Sequence, residues 1–211
     1  MAKKIILFVE GQTERQILSS FIKRTLDTNI KISIINFKGS GNFIKEIKRK
    51  VWLQIQSPQK DDIIFTFGLL DWHGFKDKLP NNVKNMIEGP EAGSQYIENL
   101  VHQDKFKMFF AVYELEAWLL SEPDIFPNKI INELKNRISS KRPEEINFNE
   151  PPSKLINQLY IKHLNSNFKK VVNGKLLFEE LDKNKVLEQC PYFANMISDI
   201  QNIISDQRNN Q

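Results

Sequence analysis

Through its first two thirds the chain alternates apolar runs of strand length with amphipathic stretches of helical period. Lys4–Val9 is almost continuously apolar, the pattern of a strand buried on both faces of a parallel sheet. Thr13, with Gln16 three residues on, has the spacing of a capping box. It predicts a helix to about Asp27 whose apolar stripe is Ile17, Leu18, Phe21, Ile22 and Leu26. Lys31–Phe37 predicts a second strand, with Gly39-Ser40-Gly41 as its exit loop. Phe43–Gln56 follows as a basic amphipathic helix with Phe43, Ile44, Ile47, Val51 and Ile55 facing inward. Ile63–Leu70 predicts a third strand running into Asp71, followed by a long loop punctuated by Gly74, Pro80, Gly89 and Pro90. A helix near Gly93–His102, a fourth strand over Lys107–Tyr113 and a helix opening over Glu114–Ser121 complete the series.

This alternation predicts an α/β fold, a Rossmann-like parallel sheet of about four strands flanked by helices. Beyond Pro123 the pattern changes: Asp124–Ile138 is helical, Ser139–Pro152 is a polar connector, and short helices follow to a polar tail over Asp206–Gln211. The expected organisation is an α/β core over residues 1–140 and a helical C-terminal section over 141–211 packed on it.

Composition narrows the chemistry. A single cysteine, Cys190, excludes a disulfide framework and a cysteine-based zinc cluster. With three histidines only, a metal site has to lean on carboxylates, which favours Mg2+ or Mn2+. Thirty Lys and Arg against 26 Asp and Glu give a net charge of +4, which permits a nucleic-acid partner without demanding one. No apolar run approaches the ~20 residues of a membrane span, and Ile5–Val9 stops at Glu10, too short for a signal peptide. The expectation is a cytoplasmic protein with no membrane partner.

Ligands of a parallel α/β sheet collect outside the carboxyl ends of its strands, and three acidic clusters fall there. Glu10 closes the first strand, Asp71 the third, and Glu114 and Glu116 follow the fourth. Carboxylates on neighbouring strands, ~4.8 Å apart, can share a divalent ion. The alternative at each position is a helix cap or a solvated loop residue. Glu114 and Glu116 in particular could complement the positive end of their own helix. Two apart on a helix start, they are not expected to point the same way.

These residues belong to an ordered series of motifs. Val9-Glu10-Gly11-Gln12-Thr13-Glu14 is followed by Leu70-Asp71-Trp72-His73-Gly74 and Tyr113-Glu114-Leu115-Glu116-Ala117-Trp118-Leu119. Pro152-Ser153-Lys154, Phe168-Lys169-Lys170 and Cys190-Pro191-Tyr192-Phe193 come after them. The opening motif resembles the strand-end glutamate motif of Toprim domains, the catalytic module of topoisomerases, bacterial primases and overcoming-lysogenization-defect nucleases. The whole series resembles an uncharacterised prokaryotic family of small stand-alone Toprim-like proteins, the domain-of-unknown-function family numbered 4276.

The resemblance implies a Toprim-like fold, with Glu10 as general acid/base or metal ligand and Asp71 as a metal ligand. Where Toprim domains usually carry Asp-x-Asp, this chain has Asp71 and His73. An imidazole can ligate manganese or move a proton there. The resemblance further implies a role in phage defence, sometimes beside an ATPase partner, which fits a chain with no P-loop lysine of its own.

The leading expectation is a metal-dependent nuclease acting on DNA or RNA. Glu10, Asp71, Glu114, Glu116 and Glu14 are its candidate metal ligands, and Glu10 and His73 its candidate catalytic groups. Lys38, Lys45, Lys48 and Arg49, and through the resemblance Lys154 and Lys170, are candidate phosphate contacts; a solvated helix face is the other reading of the basic stretch. The rival expectation is a non-catalytic nucleic-acid- or nucleotide-binding partner subunit of an ATPase-containing complex. Trp72 and Phe75 are expected to anchor their loop, His102 and His163 to cap or face solvent, and Cys190 to be a buried structural thiol.

Overall fold

The computed structural model describes residues 3–139, 141–145 and 150–209. The expected boundary residue 140, residues 146–149 of the connector and the end of the tail at 210–211 lie outside them. The chain packs as two compact units, one of residues 1–110 with 196–211, the other of residues 111–195.

The first unit runs β1 (Lys4–Val9), α1 (Gln12–Leu26), β2 (Lys31–Asn36), α2 (Ser40–Ile55), β3 (Ile63–Asp71), α3 (Asn81–Lys84), α4 (Gly89–Val101) and β4 (Phe106–Ala111). The four strands form one all-parallel sheet in the order β2-β1-β3-β4. Both faces of the central strands are covered, so Ile5 to Val9 are all buried, as their unbroken apolar run requires. Alternation along β1 sends Ile6 and Phe8 to the face packed by Phe43, Ile47 and Val51 of α2 and Ile97 and Val101 of α4. Ile5, Leu7 and Val9 take the opposite face, the side of α1, whose Ile17, Leu18, Phe21 and Ile22 are buried.

That division follows from handedness. The step from β1 to β2 runs one way along the sheet, and the steps to β3 and β4 run the other. Right-handed crossovers therefore put α1 on one face and α2 and α4 on the other.

In the second unit, α5 (Glu116–Leu119), α6 (Asn128–Ile138), α7 (Pro152–Leu164), α8 (Lys175–Glu180) and α9 (Lys183–Gln189) precede the start of α10 (Pro191–Asn209). Trp118 centres its core, with its ring 4.5 Å from that of Phe193 and 6.4 Å from that of Phe178. The remainder of α10 belongs to the sheet unit, where Ile197, Ile200 and Ile204 are buried and Asp199 pairs with Lys107 of β4 at 2.7 Å.

Several local expectations are corrected. The N-cap of α1 is Gly11, in extended conformation, rather than Thr13, and Thr13 is already inside the helix. Ser40 and Gly41 are helical rather than part of the exit loop, because left-handed Lys38 at φ 59° and Gly39 at φ 124° already complete the turn. Gly89 and Pro90 open α4, where the fixed φ of proline suits a first helical turn. β4 stops at Ala111, and Tyr113 has a left-handed φ of 68°, so it ends the strand direction instead of extending it. No helix among the described residues is long and apolar enough to cross a membrane.

Candidate functional site

Sheet order decides where the first unit can hold a ligand. Chain direction reverses between β1, which leads to β2 on one side, and β3, which leads to β4 on the other. The chain leaves these two central strands toward opposite faces, so their carboxyl ends form the topological switch point, the place where open α/β sheets have their ligand crevice. Glu10 is the first residue after β1 and Asp71 the last of β3. Val9 pairs with Leu69, so Glu10 stands level with Leu70, one residue short of Asp71, on strands ~4.8 Å apart.

The loop carrying Glu10 is fixed by its backbone. The Glu10 carbonyl accepts hydrogen bonds from the N–H groups of Gly39, at 3.0 Å, and Phe37, at 3.3 Å. This ties the exit of β1 to the exit of β2 and brings Lys38, exposed and left-handed at φ 59°, next to the Glu10 loop. Gly11 lets the chain bend into α1. A Cβ there would lie 2.9 Å from Glu14 Oε2, so the Glu14 side chain folds back over the bend. At the third helical position Glu14 also complements the positive end of α1.

Across the crevice Asp71 is half-buried and His73 exposed. Between them Trp72 points away, 8% exposed, with its ring 5.1 Å from that of Phe110 and 5.6 Å from that of Phe75. Trp72 and Phe75 thus anchor the loop as expected. The close packing needs Gly93 on α4, where a Cβ would come within 2.6 Å of the Trp72 ring and 3.0 Å of Phe110.

Glu114 and Glu116 belong to the second unit, and here the structure departs from the expected helix start. The Glu114 N–H donates to the Val112 carbonyl at 3.1 Å, closing a tight turn around left-handed Tyr113, and α5 begins only at Glu116. Helical spacing does not apply, and the two carboxylates converge on one cation: Lys170 Nζ lies 3.1 Å from Glu116 Oε2 and 3.7 Å from Glu114 Oε1. Glu114 Oε2 also accepts the N–H of Ser153 at 2.9 Å. Glu116 is 6% exposed. Burial raises its pKa, with Glu114 adding to the rise and Lys170 opposing it.

Three motif segments read in the sequence therefore meet at one place. Of these residues the sequence reading missed Lys170 as the partner, although its motif was visible. It also missed Glu144, with no local signal to find it. Glu144 is 6% exposed and accepts the N–H groups of Tyr192 at 2.9 Å and Phe193 at 3.2 Å, capping α10 where Cys190 cannot. The Cys190 thiol is buried, and burial pushes its pKa up, which makes it inert.

Lys45, Lys48 and Arg49 are exposed along α2, with Arg49 paired to Glu46, and Lys154 is exposed in the first turn of α7. His102 is the left-handed C-cap of α4, and His163 bonds Glu133 at 2.6 Å.

Among the described residues no group of three or more His, Cys, Asp or Glu side chains is assembled to hold a metal ion. Magnesium needs less than that: one or two carboxylates with waters and substrate phosphate completing its shell, and Glu10 and Asp71 have that donor chemistry.

A family model described as a domain of unknown function (DUF4276) matches residues 9–201. No curated protein and no solved structure matches the chain.

Proposed function

The chain belongs to the DUF4276 family, and we propose that it is a magnesium- or manganese-dependent phosphodiesterase acting on DNA or RNA. The observation that carries the reading is the sheet order: it puts the ends of β1 and β3 at the switch point, where open α/β sheets bind their ligands, and each of those ends carries a carboxylate. The Toprim resemblance of the motif series supports the same reading.

Glu10 and Asp71 are the residues that would hold the ion. Bound there, it supplies positive charge at the scissile phosphate. Glu10 also takes a proton from the attacking water, and exposed His73 returns one to the leaving oxygen. Lys38, next to the Glu10 loop, neutralises a neighbouring phosphate. Glu14 orders the bend at Gly11 that presents Glu10. Glu114 and Glu116 are left out of the ligand set because their oxygens are engaged by Lys170 and Ser153.

That engagement, with the lack of a three-ligand group among the described residues, favours one second reading: a subunit that binds nucleic acid or nucleotide at this edge and works beside an ATPase. The two separate in a cleavage assay on supercoiled plasmid, single-stranded DNA and RNA with Mg2+ or Mn2+. The enzyme reading expects metal-dependent cutting that falls at least ~100-fold in both Glu10→Ala and Asp71→Ala, each folded by circular dichroism. Substrate binding without cutting, in wild type and with either metal, selects the subunit reading.

A further inference from the structure

The outer face of α2 carries a feature that the strand-end crevice does not use. Trp52 is 52% exposed, whereas Trp72 and Trp118 are buried at 8% and 1%. Lys45, Lys48, Arg49 and Trp52 stand at i, i+3, i+4 and i+7, so they share one helical stripe. With Val101 and Gln103 at the end of α4 they line an open cavity of about 360 Å³. Around the end of α2 a second cavity, of about 300 Å³, adds Lys60 and Lys105. Five cations and one acid, Asp61, line the pair, and Glu46 offsets Arg49. The stripe also has a direction. Its upper end is Lys38 and Gly39, the loop hydrogen-bonded to the Glu10 carbonyl. Trp52 lies roughly 18 Å further down the helix from Ser40.

We infer that this stripe is a track for single-stranded nucleic acid, in which Trp52 stacks on an unpaired base and Lys45, Lys48, Lys60 and Lys105 meet the phosphates beside it. A large aromatic is normally buried, and one left half-exposed between cations matches the combination that proteins use to hold unpaired strands. A duplex turns its base faces inward and offers nothing for the indole to stack on; an acidic peptide offers charge without a stacking plane. The track deepens the phosphodiesterase reading by naming its substrate class: a polynucleotide whose single-stranded segment runs down α2 while a phosphate reaches Glu10 and Asp71.

The test is run in chelator, so that binding is read without cleavage. Fluorescein-labelled oligo(dT) is titrated by anisotropy, and quenching of the exposed tryptophan is followed in parallel. Wild type is expected to bind oligo(dT) more tightly than a duplex of the same length, with loss of indole emission. Trp52→Ala should weaken binding roughly five-fold or more, while Trp52→Phe keeps most of it. Lys45→Glu with Lys48→Glu should flatten the salt dependence by about 1.4 in log–log slope, ~0.7 for each phosphate no longer neutralised. The substituted side chains are all exposed, and folding is checked by circular dichroism.

Oligo(dT) binding unchanged in Trp52→Ala, a preference for duplex, or no oligo(dT) binding at all would overturn the track; an acidic protein partner would then be the occupant to seek. The two proposals fail separately. Trp52-dependent oligo(dT) binding without metal-dependent cutting would sink the phosphodiesterase reading alone, and cleavage without Trp52-dependent binding would sink the track alone.

Discussion

At the residue scale the most consequential group is Glu116. A carboxylate 6% exposed keeps its charge only with a cation against it, and Lys170 is that cation. Lys170 itself is 41% exposed, so solvent shares in screening the pair and moderates its strength. Lys170→Met should therefore cost about 1–3 kcal/mol in urea unfolding, less than a fully buried pair would lose. Adding Glu116→Gln removes the stranded charge, and the double variant should recover much of the loss. Strictly additive losses would mean that the pair is not coupled. The identities of Glu114 and Glu116 were legible in the sequence, but their geometry was not. Spacing of two on a helix start sends side chains apart; the left-handed φ of Tyr113 replaces that start with a turn, and nothing in Val112-Tyr113-Glu114 announces it. A bulky residue seldom takes that conformation without surroundings that impose it.

At the element scale α10 depends on a cap brought from elsewhere in the chain. Its N-cap position is Cys190, whose side chain offers no oxygen, and Glu144 supplies both carboxylate oxygens to the N–H groups of the second and third helical residues, Tyr192 and Phe193. Burial outweighs those two donors and pushes the Glu144 pKa up to about 7. The folded protein then binds this proton more tightly than the unfolded chain. Its contribution to stability is full below the ordinary carboxylate value and is lost as pH rises through about 7. Urea unfolding at pH 5 and pH 8 should show a loss at the higher pH of order 1–3 kcal/mol, and Glu144→Gln should remove that difference. Parallel pH profiles for the two proteins would contradict the assignment. Elements themselves were readable wherever the apolar period was unbroken. β1 matches its expected span residue for residue, and the inward Phe43, Ile47 and Val51 of α2 are buried. Helix starts were less readable, because a Thr-x-x-Gln spacing is also what the first turn of a helix begun at Gly11 contains.

At the scale of the whole molecule, fold class followed from strand–helix alternation, but strand order did not. Each crossover is compatible with a step to either side, and only packing settles that β1 and β3 are the central pair. The return of residues 196–211 to the sheet unit was likewise hidden, since the second half of α10 carries the same apolar spacing as any amphipathic helix. Sheet order is also what brings two acids far apart in sequence, Glu10 and Asp71, to the ends of adjacent strands at the switch point. The proposed function stands or falls on whether this pair takes up a divalent cation. Titrating Mn2+ into the protein and counting bound ions by electron paramagnetic resonance reads that directly, in wild type, Asp71→Asn and Glu114→Gln. One site is expected in wild type, lost in Asp71→Asn and retained in Glu114→Gln. No bound Mn2+ in wild type, or a site that survives Asp71→Asn, would contradict it.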